Sequence, residues 1–217
     1  MGPSIRIDDV TKDFGDSKAL DHVNLSFQKG KIHGIIGRNG SGKTVLLKCI
    51  CGFMKVTYGE ICIDEKQVRY GQRQDIAAII EVPGFINHVS GFKNLEYLAQ
   101  IHHKINKEQI RKAIITAGLD PDSKKRVGKY SLGMKQRLAI AQAIMEDEPL
   151  IILDEPMNGL DNQGVRDVRN ILLQQRDKGK TILIASHSQE DISVLCDTIT
   201  EMDHGSIIPT RLLECFY

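Results

Sequence analysis

The chain has 217 residues, with 29 Lys and Arg against 28 Asp and Glu for a formal net charge of +1. This balance argues against a polybasic nucleic-acid binder and against an acidic tail, and 41% hydrophobic with 26% charged residues excludes a disordered or collagen-like chain. A chain of this length buries about 70% of its unfolded surface, enough for one large core or two lobes, and having no Trp and 5% aromatics it predicts an aliphatic interior with few stacking platforms for single-stranded nucleic acid.

In chain order, Ile5 to Val10 and Val23 to Phe27 alternate apolar and polar residues, which predicts two half-buried strands in an antiparallel layer. The apolar run Ile32 to Ile36 predicts a buried strand, and Lys43 to Phe53 a helix. Gly59 to Ile63 and Ala77 to Val82 read as further strands, and Phe92 to Leu119 as two helices separated near Lys104 to Asn106. From Leu150 onward strands and helices alternate: strand Leu150 to Leu153, helix Gln163 to Arg176, strand Thr181 to Ala185, helix Gln189 to Cys196, strand Thr198 to Met202. Such alternation predicts a mainly parallel sheet covered by helices. The expected organisation is one α/β domain over residues 1–217, with residues 1–90 and 131–217 as core and residues 91–130 as a helical insertion. The run Lys124-Lys125-Arg126 near the end of that insertion reads as a solvated turn.

Cysteines at 49, 51, 62, 196 and 215 form an odd set without CxxC spacing, which suits reduced thiols in a cytosolic protein, and Cys49 and Cys51 read as small buried side chains. No apolar run approaches the ~18 residues of a membrane span. Arg6, Asp8 and Asp9 stand where a signal peptide would be apolar. Arg6 also occupies the place of the Ser or Thr that would follow a myristoylated Gly2, and Cys215 lies one place too late for a prenylation box.

The segment Gly37-Arg38-Asn39-Gly40-Ser41-Gly42-Lys43-Thr44 fills GxxxxGK[ST] directly after a predicted strand and before a predicted helix. Its glycines let the backbone wrap phosphates, the helix start presents free N–H groups, Lys43 reaches the β and γ phosphates, and Thr44 is a ligand for Mg²⁺. Val45 completes this candidate nucleotide-binding set. A second hydrophobic strand ends in Asp154 and Glu155. Acids at a strand end in an open α/β sheet overlie the ligand crevice, which makes Asp154 a candidate Mg²⁺ ligand and Glu155 a candidate base for an attacking water.

Three more segments follow in order: Ser131-Leu132-Gly133-Met134-Lys135-Gln136 before an apolar stripe at helical spacing, Asn158-Gly159-Leu160-Asp161 after the acid pair, and Ser186-His187-Ser188 at the end of the next strand. Ser131 reads either as a simple N-cap or as part of an anion site at the helix start. His187 is placed to donate to a phosphate oxygen, its side chain otherwise being an ordinary surface imidazole.

With these segments together, the chain resembles the ATP-binding subunit of ABC transporters over nearly its whole length. The run SLGMKQRL at 131 to 138 and Glu81-Val82-Pro83-Gly84-Phe85 resemble the bacitracin-export and lantibiotic-immunity type. The resemblance implies a P-loop fold of ABC-ATPase type, ATP and Mg²⁺ as ligands, and hydrolysis coupled to an integral membrane permease at the cytoplasmic face of the membrane. It also implies a homodimer or heterodimer of ATP-binding domains, with Ser131 and Gly133 of the signature and Asp161 of the D-loop acting across it. His187 corresponds to the switch histidine and Phe14 to the aromatic that stacks on adenine, a core Phe being the alternative there. The chain departs from the family pattern in two places: Glu81 stands where Gln is usual in the Q-loop and becomes a candidate Mg²⁺ ligand, and Leu132 and Met134 interrupt the Ser-Gly-Gly form of the signature. Relatives often continue beyond the last core strand, whereas this chain stops at Tyr217. The other functions weighed are a soluble ABC-type ATPase acting on a macromolecule and an ATP-gated binding module with little turnover.

Overall fold

Strand β1 (Ile5–Asp13) runs between β2 (Lys18–Phe27) and β4 (Tyr58–Ile63), and with the two-residue β5 (Lys66–Gln67) they make an antiparallel sheet in the order β2-β1-β4-β5. The computed structural model describes residues 2, 4–72, 74–81, 84–102 and 104–208, and in these all side chains but those of residues 102 and 189–191. The alternation of β1 is not strict, because Ile5 and Ile7 are odd and Val10 even, yet all three are buried. A register shift between Ile7 and Val10 restores the inward face, and Asp9 and His22 both adopt left-handed backbone there, their side chains joined at 2.7 Å.

The second sheet has the order β10-β9-β3-β8-β7-β6. Strands β3 (Ile32–Ile36), β6 (Ile76–Ile79), β7 (Leu150–Asp154), β8 (Thr181–Ser186) and β9 (Thr198–Asp203) are parallel, and β10 (Ser206–Ile208) returns antiparallel along β9. Strands β3, β7 and β8 are buried at every position, as strands covered on both faces must be. One face sends Ile35, Leu150, Ile152 and Leu183 toward Leu46, Leu47 and Ile50 of α1 (Lys43–Ile50) and the inner residues of the antiparallel sheet. The other face sends Ile32, Ile151, Leu153, Ile182 and Ile184 toward α4 (Leu132–Met145), α5 (Asn162–Asp177) and α6 (Gln189–Leu195).

A third apolar cluster joins Leu95 and Ala99 of α2 (Gly91–His102), Ile110, Ala113 and Ile114 of α3 (Lys107–Thr116), Val127 of a 3₁₀ turn (Val127–Lys129), and Leu138, Ala141 and Met145 of α4. Helix α4 therefore sits between two cores, with Ala139, Ile140 and Ala143 turned to the sheet. The single stripe expected for it is corrected to burial on two sides.

Other boundaries move for local reasons. Helix α1 stops at Ile50 rather than Phe53 because Gly52 turns left-handed, and Phe53 is exposed. The strand expected to run to Val82 ends at Ile79, Glu81 already having positive φ; Val82 and Pro83 lie outside the described residues. Helix α3 ends at Thr116, short of Leu119, with Gly118 left-handed. Lys124, Lys125 and Arg126 are exposed, as a solvated turn requires. Cys49, Cys51, Cys62 and Cys196 are buried and form no disulfide among the described residues, and burial pushes the Cys49 thiol up to about 11 and that of Cys51 to about 12; Cys215 lies outside the described residues. Among the described residues no helix is long and apolar enough to cross a membrane.

Candidate functional site

The loop of residues 37–42 leaves the end of β3 and enters α1 at Lys43. Two glycines are required by close approach: a Cβ on Gly37 would lie 2.3 Å from the Met202 carbonyl oxygen, and one on Gly42, whose φ is 102°, would lie 2.5 Å from that of Ala19. The Gly205 N–H donates to the Ser41 carbonyl at 3.0 Å, and the Asp21 N–H to that of Gly205 at 2.9 Å. The loop is thus held between the start of β2 and the β9–β10 turn. Arg38, Asn39 and Gly40 are exposed at its mouth.

Lys43 is only 6% exposed, and its Nζ donates to the carbonyls of Gly37 at 2.7 Å and Arg38 at 3.1 Å. It forms no ion pair with any described residue, so the hydrogen bonds of this buried cation go to neutral carbonyls. The Ser41 hydroxyl is buried and has no hydrogen-bond partner among the described residues. Thr44 donates its hydroxyl to Asp154 Oδ2 at 2.7 Å. Burial is the main cause that raises the Asp154 carboxyl above its ordinary value; the charges of Glu155 and Glu81 push the same way, while the Thr44 hydroxyl and Lys43 oppose them.

Glu155 follows at the end of β7 with φ 51° and donates its N–H to the Ala185 carbonyl at 2.8 Å, one step beyond the β7–β8 ladder. Both carboxylate oxygens are engaged from the end of β8: His187 Nδ1 lies 2.8 Å from Oε1, and the Ser186 hydroxyl donates to Oε2 at 3.2 Å while accepting the Ser188 N–H. The left-handed backbone, about 1 kcal/mol or more for a residue with a Cβ, turns the side chain toward its neighbour strand. A cavity of about 240 Å³ is lined by Ala19, residues 39–45, Asp154 and Glu155. A second, of about 500 Å³, is lined by Ile36 to Asn39, His187 and Glu201. Asn39 belongs to both.

Ser131, Gly133 and Asp161 are not among these walls. Ser131 is exposed and caps α4, accepting the Met134 N–H at 3.2 Å, and Asp161 caps α5, accepting the Gly164 N–H at 2.7 Å. They neighbour one another, since a Cβ on Gly133 would lie 3.1 Å from the Gly159 carbonyl and the Leu132 side chain rests on Gly159. Phe14 is 54% exposed with Lys12 Nζ 4.8 Å from its ring centre, which removes the core alternative. Glu81 is exposed, and its Oε1 accepts from Lys48 Nζ at 2.7 Å. Sequence reasoning passed over two residues that the fold brings in. Ser186 had a signal in adjoining the switch-like histidine, and Lys48 in lying four residues, one helical turn, beyond Thr44.

The family model for ABC transporters matches residues 20–158. The chain belongs to the ABC transporter family. It is 40% identical over 205 residues to an uncharacterized ABC transporter ATP-binding protein, YybJ, of Bacillus subtilis, covering 94% of each chain. It is 37% identical to the bacitracin transport ATP-binding protein BcrA of Enterococcus faecalis, over 94% of this chain and 68% of that one. To the lantibiotic transport ATP-binding protein SrtF of Streptococcus pyogenes it is 33% identical, over 94% and 89%. Among solved structures it is similar to a nucleotide-free ATP-binding cassette from an ABC transporter, at TM-score 0.83 and 26% identity over 95% of this chain and 90% of that one. The ADP conformation of another such cassette matches at TM-score 0.81 and 27% identity over 96% and 90%. The mainly parallel sheet with an antiparallel layer is the architecture of ABC ATPase cassettes, as the sequence implied.

Proposed function

We propose that this ABC cassette binds ATP with Mg²⁺ at residues 37–45 and hydrolyses it to drive a separate integral membrane permease from the cytoplasmic face of the membrane. The observation that carries the reading is Lys43: a buried ammonium whose hydrogen bonds among the described residues go to carbonyls, in a loop whose Ser41 hydroxyl finds no partner among them, suits a polyanion. The N–H groups at the start of α1 add to that preference. Thr44 and Asp154 offer adjacent hard oxygen donors of the kind Mg²⁺ takes, with Glu81 a third, and the ion when bound supplies neutralisation of phosphate charge. Glu155 is the base. It takes a proton from the water whose oxygen bonds to the γ-phosphorus as the bond to the ADP oxygen breaks, and His187 and Ser186 fix one carboxylate oxygen each for that transfer.

Phe14, exposed beside Lys12, is read as the adenine platform. Ser131, Gly133 and Asp161, which lie outside the cavity, are read as completing the site of a second cassette, identical or related. Residues 91–130 are read as an inserted helical unit. The bacitracin and lantibiotic transport relatives support a peptide antibiotic as the class of cargo.

Glu155→Gln keeps the shape of the base and removes its basicity, so ATP binding should persist while phosphate release falls by about 100-fold or more. Lys43→Ala should lose binding itself. Turnover near wild type in Glu155→Gln, or unchanged binding in Lys43→Ala, would overturn the reading.

A further inference from the structure

Helix α1 carries two polar contacts one turn apart on the same face. Thr44 reaches Asp154 at the end of β7, and Lys48 reaches Glu81 just past the end of β6, each at 2.7 Å. Strands β6 and β7 are parallel neighbours with Ile79 opposite Leu153, so Glu81 comes off the sheet beside Asp154 and Glu155, and its charge is felt at Asp154. Three carboxylates therefore meet at one sheet edge, next to a loop read above as a phosphate site. An unpaired carboxylate at position 81 would repel that ligand over any distance shorter than a Debye length.

The pair has little to offer the fold. The Glu81 side chain is 64% exposed, and an ion pair with so wet a partner contributes almost nothing to stability. Its backbone is left-handed besides, at φ 63°. What the pair does change is the charge that the site presents.

We propose that Lys48 is a positioning residue for Glu81: it sets a neutralising ammonium against the carboxylate at the sheet edge beside Asp154, so that the pair adds no net charge to the phosphate-binding side of the cleft. The inference rests on the reading of residues 37–45 as an ATP site and adds to it the reason a carboxylate is tolerated at position 81. Lys48 acts through Glu81 and needs no contact of its own with nucleotide.

The test is equilibrium titration of a fluorescent ATP analogue in EDTA, so that neither Mg²⁺ nor turnover enters. Lys48→Gln should weaken binding about threefold to tenfold, a loss that shrinks at high salt. Lys48→Gln/Glu81→Gln should return to within about twofold of wild type, and Lys48→Arg should keep wild-type affinity, because both preserve neutrality. Glu81→Gln alone, leaving an unpaired ammonium, should bind at least as tightly as wild type, and this variant decides the matter if Lys48→Gln does not fold. A deficit in Lys48→Gln that persists in the double variant, or weaker binding in Glu81→Gln, would overturn the role of Lys48. Lys43→Ala separates the two layers: undiminished binding there would overturn the phosphate site itself.

Discussion

Asp154 and His33 show how burial can act on single groups with opposite signs. The folded state holds the Asp154 carboxyl above its ordinary value, chiefly through burial, so between the two values the folded chain binds more protons than the unfolded one and stability falls as pH rises. At neutral pH the ionised carboxylate is a cost to the nucleotide-free fold. Asp154→Asn keeps an acceptor for the Thr44 hydroxyl and removes the charge; the expected result is a melting temperature higher by roughly 1–4 °C with hydrolysis abolished. Scanning fluorimetry without nucleotide checks it, and a lower melting temperature would mean that the charge stabilises. His33, 1% exposed on β3, lies 2.8 Å from the Gln28 carbonyl through Nε2 and 2.6 Å from the Thr198 hydroxyl through Nδ1. Burial is the first cause holding its pKa below the ordinary value, so the unfolded chain takes up the proton first and stability falls as pH drops below about 6.5. Urea titrations should show that fall between about pH 7 and 5.5 for the wild type and a flatter profile for His33→Gln. Equal slopes would place the titrating group elsewhere.

At the scale of elements, α4 has no solvent face along much of its length. Leu138 belongs to the cluster with α2 and α3, and Ile140 to the cluster under the sheet, both at 1% exposure or less. Leu138→Ala and Ile140→Ala should each cost about 2–5 kcal/mol in chemical denaturation, although the two residues point to different sides. A loss confined to one of them would mean that α4 packs on one side only. The sequence pattern misled because an apolar stripe shows that a helix is buried and leaves open how many neighbours it has. Strand β3 was legible to the residue, since the mostly apolar run Ile32 to Ile36 stops at Gly37, where a Cβ would meet the Met202 carbonyl oxygen. Strands β7, β8 and β9 each run further, to Asp154, Ser186 and Asp203, because ladder hydrogen bonds continue where apolar side chains stop. The two-residue β5 and three-residue β10 are too short to show any period. In the site, the phosphate loop and the paired acids were legible as linear motifs. The contacts Ser186–Glu155 and Lys48–Glu81 were not, since they join residues 31 and 33 positions apart, the first across the neighbouring strands β7 and β8 and the second from helix α1 to the chain just past β6.

For the whole molecule, Ser131, Gly133 and Asp161 form a surface group apart from the loop cavity, so one chain shows only part of the proposed site on each of two faces. Two copies related by a two-fold axis would supply both parts twice. Ser131→Arg in a Glu155→Gln background should leave ATP binding by the monomer nearly unchanged and prevent ATP-dependent dimer formation in sedimentation, since a bulky cation then occupies the start of α4. A persisting dimer would leave Ser131 as the cap of α4 and nothing more.

The phosphate loop takes its shape from chain that is made much later. Met202 closes over Gly37 and Gly205 bonds Ser41, so residues 37–42 are moulded by the β9–β10 turn as well as by the start of β2. During synthesis the complete glycine motif leaves the ribosome well ahead of residues 202–205, and for that interval the nascent polypeptide owns the motif without its mould. Nucleotide is accordingly a ligand of the finished cassette and a poor template for its first half, and a chain stalled after β8 would emerge carrying every residue of the loop yet blind to ATP.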